Sequence, residues 1–158
     1  MLEFRIRDLD HMAVLGRALA HCLCAVPSLR CILLRGDLGS GKTTLVRFLV
    51  EALPDGDRAE ISSPSFTLCN VYPTTPSVLH CDLYRVGSAI PDELGETLAA
   101  GDMAVIVEWA EHLHCSWLPQ DFLDICFQVC NEHRLVCLEI HGSNSARIEP
   151  FLQVVQSM

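Results

Sequence analysis

The feature that most constrains this chain is a glycine-rich turn placed one residue after a wholly apolar run. Cys31-Ile32-Leu33-Leu34 is followed by Gly36-Asp37-Leu38-Gly39-Ser40-Gly41-Lys42-Thr43-Thr44. The first eight residues of that turn fit G-x-x-x-x-G-K-[ST], a pattern that chance places in on the order of one chain in a few hundred of this length. A short apolar run reads as a strand buried on both faces of a parallel sheet. The residues from 42 to 53 read as a helix, closed by Pro54-Asp55-Gly56-Asp57. Glycines permit backbone angles closed to other residues, so successive amide N–H groups can turn inward around an anion. The positive end of the following helix adds to the same field. Lys42 is expected to reach the β- and γ-phosphates of ATP, Thr43 to ligate Mg2+, and Thr44 to donate to the α-phosphate.

The flanking pattern repeats the alternation of strands and helices. Residues 3–7 alternate apolar and charged, as an edge strand does. Residues 9–24 carry Leu9, Met12, Ala13, Leu15, Leu19 and Leu23 at the spacing of a helix with one buried stripe, with Asp8 or Asp10 as its cap. Strands are expected over 66–72, 78–82 and 104–107, and a helix is expected to start at Pro91-Asp92-Glu93-Leu94. Segments 122–130 and 134–141 alternate and are expected to pair, and 144–157 to form a terminal helix. The expectation is a three-layer P-loop NTPase-like α/β fold with a mixed, mainly parallel central sheet, filling residues 1–158 as a single domain.

Composition excludes several classes. The chain has 158 residues and a formal charge of −9, which argues against gripping nucleic acid through phosphates. No apolar stretch is long enough to span a membrane and no export signal is visible, so the expected location is the cytoplasm. The nine cysteines form no Cys-x-x-Cys pair and their number is odd, so neither disulfides nor a zinc site is expected. Cys126 and Cys130 read as small buried hydrophobes in a strand, and His112, His114 and Cys115 as a turn without the spacing of a zinc site.

A phosphate loop needs an acid at the end of a neighbouring strand to hold Mg2+ or its water. Glu108 follows Ala104-Val105-Ile106-Val107, and Asp82 follows Val78-Leu79-His80-Cys81. Both are expected at the carboxyl edge of the sheet, where ligands sit in open α/β folds. Ser62-Ser63-Pro64-Ser65 lies where nucleotide-sensing loops sit in such proteins; it reads equally as a polar turn. The only lysine is Lys42, so the guanine-reading Asn-Lys-x-Asp of small GTPases is impossible. Beyond residue 85 only Arg134 and Arg147 remain, too few for the arginine-rich lid of a small-molecule kinase.

Four linked motifs sharpen the reading. They are the phosphate loop, Ser63-Pro64-Ser65-Phe66-Thr67-Leu68, His80-Cys81-Asp82-Leu83-Tyr84-Arg85 and Val107-Glu108-Trp109, with Leu118-Pro119 after the last. In order and spacing the chain resembles the bacterial TsaE (YjeE) family, the ATPase of tRNA threonylcarbamoyladenosine biosynthesis. The resemblance implies that Gly39, Ser40, Gly41, Lys42, Thr43 and Thr44 bind the phosphates of ATP or ADP, and that Thr43 and Glu108 hold Mg2+. It implies a role for Asp82 in positioning water, making Lys42, Asp82 and Glu108 the catalytic candidates. Ser65 would sense the γ-phosphate, and Trp109 would sit beside the nucleotide. His80, Tyr84 and Arg85 would brace that edge of the sheet or face a partner. Asp8, Glu111 and Arg134 would approach the nucleotide, although helix capping for Asp8 and surface charge for the other two explain them as well.

Two positions depart from the family pattern: Ser65 stands where Thr is usual, and Met12 where Thr is common. The resemblance further implies a Mg-dependent ATPase that supports threonylcarbamoylation of adenosine 37 in tRNAs reading ANN codons. It would act through the two partner proteins of the bacterial threonylcarbamoyl-transfer complex and touch tRNA only indirectly. A small-molecule phosphotransferase and a nucleotide-gated binding module without turnover are the alternatives.

Overall fold

The structure is a computed structural model that describes residues 1–58, 64, 67–86 and 90–156. Its strands are β1 (Leu2–Ile6), β2 (Cys31–Arg35), β3 (Cys69–Tyr72), β4 (Val78–Asp82), β5 (Ala104–Glu108), β6 (Phe122–Val129) and β7 (Arg134–His141). Its helices are α1 (Leu9–Ala25), α2 (Lys42–Ala52), α3 (Asp92–Ala100) and α4 (Ser145–Gln156). Single 3-10 turns lie at Ala110–His112 and Cys115–Trp117.

The strands form one seven-stranded sheet in the order β1-β7-β6-β2-β5-β4-β3. The β6-β2-β5-β4 centre is parallel throughout. Antiparallel pairing of β7 with both β6 and β1, and of β3 with β4, completes the edges. Five of the seven strands, all but β3 and β7, therefore run in one direction, so the sheet is mixed and mainly parallel. Every residue of β4 and β5 is buried, which explains why Ala104–Val107 of β5 reads as a continuous apolar run rather than an alternating one.

Side chains leave a strand on alternate faces, and the two faces have separate cores. Ile32, Leu34, Val78, Ile106 and Ile125 face α1, α2 and α4, which cover them with Leu15, Leu19, Leu45, Leu49, Ile148 and Leu152. Cys31, Leu33, Leu79, Val105 and Val107 face Leu94 of α3 together with Ala110 and Leu113. The three layers follow. Burial of each Leu of the α2 stripe contributes on the order of 1.5–3 kcal/mol, and that stripe seats the helix whose first residue is Lys42. At Gly16 a Cβ would stand 2.7 Å from Cβ of Phe48, so the absence of a side chain lets α1 cross α2 closely.

Of the strand expected over 66–72, residue 66 lies outside the described residues; β3 begins at Cys69, after Leu68 adopts φ +67, a conformation that an extended strand cannot pass through. Asp8 caps α1, accepting from the amide of His11 at 2.9 Å, and Nδ1 of the same histidine lies 2.6 Å from the carboxylate. These bonds hold the Asp8 carboxyl below its ordinary value.

The cysteine expectation needs correction. Cys69 and Cys81 oppose each other in the β3–β4 register, with Cα atoms 4.1 Å apart, and form a disulfide. An odd cysteine count excludes only complete pairing, and register between two strands decides the rest. Cys126 is half-buried rather than buried, and Cys130, also half-buried, lies just beyond β6.

Two outcomes are expected. Asp8→Ala lowers the urea midpoint while Asp10→Ala leaves it nearly unchanged. A carboxyl held low in the native state stabilises above the usual carboxylate range, so the gap between the two variants closes as pH falls through the native value of Asp8. Alkylation of the denatured, unreduced chain spares two of the nine cysteines, Cys69 and Cys81; labelling of either without a reductant contradicts the pairing.

Candidate nucleotide site

The carboxyl ends of β2, β5 and β4 converge on one cavity of about 310 Å³. Leu38, Gly39, Gly41, Lys42, Thr43, Thr44, Asp82, Tyr84, Glu108, Trp109 and Arg134 line it. The turn from β2 to α2 is built by three positive-φ glycines, Gly36 at +130, Gly39 at +75 and Gly41 at +111. Gly36 has a second reason to be glycine: a Cβ there would stand 2.6 Å from the carbonyl oxygen of Phe127. Arg134, the first residue of β7, donates from Nε to the carbonyl of Ser40 at 2.8 Å and ties the turn to the far side of the sheet. The Ser40 hydroxyl is buried without a hydrogen-bond partner among the described residues, and a buried polar group costs free energy until it finds one.

Lys42 is only 4% exposed. Its ammonium donates to the carbonyls of Gly36 at 2.6 Å and Asp37 at 2.9 Å, and lies 4.1 Å from the centre of the Trp109 ring. Burial pushes its pKa below the ordinary lysine value, and the carboxylates of Glu108, Glu111, Asp82 and Asp37 pull it back up. Trp109 reaches the lysine because the residue after β5 takes a left-handed turn, φ 58 and ψ 44. That conformation costs a non-glycine residue roughly 1–2 kcal/mol, and such strain concentrates at functional sites. Tyr84 packs on Trp109 with ring centres 4.7 Å apart.

Asp82 and Glu108 are register partners in β4 and β5, so they stand side by side at the sheet edge. Both are buried, at 5% and 3% exposure. Asp82 accepts from the amide of Tyr84 at 2.9 Å. Glu108 accepts from the Thr43 hydroxyl on Oε2 at 3.0 Å and lies 2.9 Å from His80 Nε2 through Oε1. The Tyr72 hydroxyl lies 3.4 Å from His80 Nδ1. A hydroxyl and two carboxylates on one wall form a hard-oxygen donor set, which suits Mg2+. The glycine turn at the N-terminus of α2 and the Lys42 ammonium supply a complementary positive wall. The residues present therefore fit Mg2+ with a polyphosphate.

The expected site residues fall into four groups. Gly39, Gly41, Lys42, Thr43, Thr44, Asp82, Glu108, Trp109 and Arg134 meet in the cavity, with Ser40 buried beneath. Asp8 lies in an adjoining cavity of about 120 Å³, lined by Leu9, Met12, Gly41, Thr44 and Arg134 as well, so it caps α1 and borders the loop at once. Glu111 is exposed on the turn Ala110–His112, outside the lining of the main cavity, and acts on Lys42 through its charge. Ser65 lies outside the described residues.

Tyr72 was not anticipated. A histidine in a fully buried strand was the available signal for it, since such a histidine requires a polar partner. His80 is expected at the sheet edge; its contact with Glu108 is the structure's addition.

Comparison with known proteins gives the family and the fold. The family model for Threonylcarbamoyl adenosine biosynthesis protein TsaE matches residues 6–136. Among curated proteins named tRNA threonylcarbamoyladenosine biosynthesis protein TsaE, the one from Rickettsia felis is 32% identical over 126 residues, 77% of this chain and 71% of that protein. The one from Synechocystis sp. is 40% identical over 120 residues, 71% and 72% of the two chains. The one from Streptomyces coelicolor is 37% identical over 105 residues, 63% and 68% of the two. A crystal structure of YdiB from Bacillus subtilus shares the fold, with a TM-score of 0.68, 23% identity and coverage of 99% of this chain and 94% of that one.

Substitution separates the roles of the glycines. Gly39→Ala, with open space around its Cβ, is expected to cost roughly 1–2 kcal/mol from backbone strain alone. Gly36→Ala adds a clash costing about 1–3 kcal/mol more. Thermal unfolding of the two variants checks the order, and a Gly36→Ala protein as stable as Gly39→Ala contradicts the packing.

Proposed function

We propose, because this chain belongs to the TsaE family, that it binds and hydrolyses ATP with Mg2+ and serves tRNA threonylcarbamoyladenosine biosynthesis. The observation that carries the reading is the convergence of the phosphate turn, Lys42, Thr43, Asp82 and Glu108 on one cavity. The amides of residues 39–44 bind the phosphates, and Lys42 leaves the carbonyls of Gly36 and Asp37 for the β- and γ-phosphates. Thr43 and Glu108 hold the metal. Asp82 orients water at the γ-phosphate side. Trp109 covers the lysine and limits water there. Bound Mg2+ supplies charge neutralisation between the β- and γ-phosphates.

Trp109, Arg134, Asp8 and Glu111 border the nucleotide, and Ser65 senses the γ-phosphate. Arg134 is the one arginine among the described residues lining the cavity, and its Nε is already given to Ser40. That supports slow turnover alone and faster turnover with partners, since phosphoryl transfer gains from a further cationic side chain. The partners are the two proteins of the threonylcarbamoyl-transfer complex, acting on adenosine 37 of tRNAs reading ANN codons. A formal charge of −9 supports action on tRNA through proteins rather than by direct grip. No helix among the described residues is long and apolar enough to cross a membrane, and the cytoplasm is the proposed location. The chain works as a single domain.

Phosphate release from Mg-ATP tests the reading. Slow release by the protein alone, and a clear rise with the two partner proteins and tRNA, are expected. Lys42→Ala is expected to weaken triphosphate binding at least tenfold, the loss of one charge-assisted contact of about 1.5–3 kcal/mol. Glu108→Ala weakens the metal-dependent part of binding. ATP binding without release in any mixture supports a non-hydrolysing switch instead, and phosphorylation of a small metabolite supports a phosphotransferase.

A further inference from the structure

The Glu108 carboxylate has two oxygens and two different neighbours. Oε2 takes the Thr43 hydroxyl and faces the cavity, whereas Oε1 points into the sheet at His80. A carboxylate only accepts hydrogen bonds, so Nε2 of His80 carries the proton and donates it. The Tyr72 hydroxyl lies 3.4 Å from Nδ1 on the other side of the ring. The chain Tyr72–His80–Glu108–Thr43 thus runs from β3 through β4 and β5 to α2. His80 is 0% exposed, so no water competes for this contact. Register fixes the arrangement: His80 pairs with Ile106 and Asp82 with Glu108, so all four side chains leave the same face of the sheet.

We propose that His80 is a positioning residue that occupies one oxygen of Glu108, leaves the other for the metal, and so tunes the site toward Mg2+ over Ca2+. The inference rests on the Mg-ATP reading given above. The chemical reason is coordination. Mg2+ demands a small octahedral shell and keeps several waters, so it takes one oxygen from a carboxylate; Ca2+ accepts six to eight oxygens and readily takes both. An oxygen already committed to a buried imidazole N–H cannot serve Ca2+ without leaving that proton unpaired in an apolar layer. Partners of metal ligands typically change metal affinity about 10–100-fold when removed.

The test measures affinity for a fluorescent, non-hydrolysable ATP analogue in chelator, in Mg2+ and in Ca2+. Wild type is expected to gain more affinity from Mg2+ than from Ca2+. His80→Leu is expected to lose about tenfold of the Mg2+-dependent gain, to lose less of the Ca2+-dependent gain, and to keep its affinity in chelator, because the loop amides and Lys42 are untouched. His80→Gln, which keeps a side-chain N–H for Glu108, retains most of the Mg2+ preference. Tyr72→Phe, which removes the hydroxyl beside Nδ1 with little change in shape, shifts the preference in the same direction as His80→Leu but less, and guards against a His80→Leu chain that fails to fold. An unchanged ratio of Mg2+ to Ca2+ gain in His80→Leu, or in Tyr72→Phe should His80→Leu not fold, overturns the proposal. An equal loss in chelator and in Mg2+ also overturns it, since it marks a role in folding alone. Absence of any metal-dependent gain in wild type overturns the Mg-ATP reading itself, and this inference with it.

Discussion

A carboxylate only 3% exposed cannot stand unpaired, and the way Glu108 is satisfied organises the site. Its two hydrogen-bond neighbours come from different elements, Thr43 at the start of α2 and His80 in β4. One side chain therefore joins the phosphate helix to two central strands. The parallel register places Glu108 beside Asp82 and beside the end of β2, from which the phosphate turn departs. Without parallel pairing of β2, β5 and β4, these three chain ends would not meet at one edge.

The opposite wall is organised by Lys42. Desolvation works against its charge, and four carboxylates work for it. Its ammonium is held meanwhile by two carbonyls of its own turn and the face of Trp109. These contacts keep the lysine ordered at the cavity wall. Trp109 can take part only because it accepts a left-handed backbone. The strain cost is offset by its packing on Tyr84 and over the ammonium.

Much of this was legible in the sequence wherever the signal is local. The turn is read from the eight contiguous positions Gly36 to Thr43, and the apolar runs before Arg35 and Glu108 announce buried parallel strands with polar ends. The cap at Asp8 is likewise a local signal. What depends on register was not legible. The contact of His80 with Glu108 requires knowing that β4 lies beside β5, and the Cys69–Cys81 pairing requires the antiparallel register of β3 on β4. Nothing in Val107-Glu108-Trp109 announces a left-handed tryptophan, because only tertiary packing imposes it. Burial of Cys126 was overestimated for the same reason, since alternation marks the two faces of a strand but not which face is covered.

The most direct test of the account is a crystal structure of the chain with a non-hydrolysable ATP analogue and Mn2+ in place of Mg2+, with the metal located by its anomalous scattering. The account predicts one peak beside the Thr43 hydroxyl and Glu108 Oε2, with Lys42 moved onto the phosphates and His80 still on Oε1. A peak elsewhere, or a nucleotide bound outside the turn from Gly36 to Thr44, would contradict it.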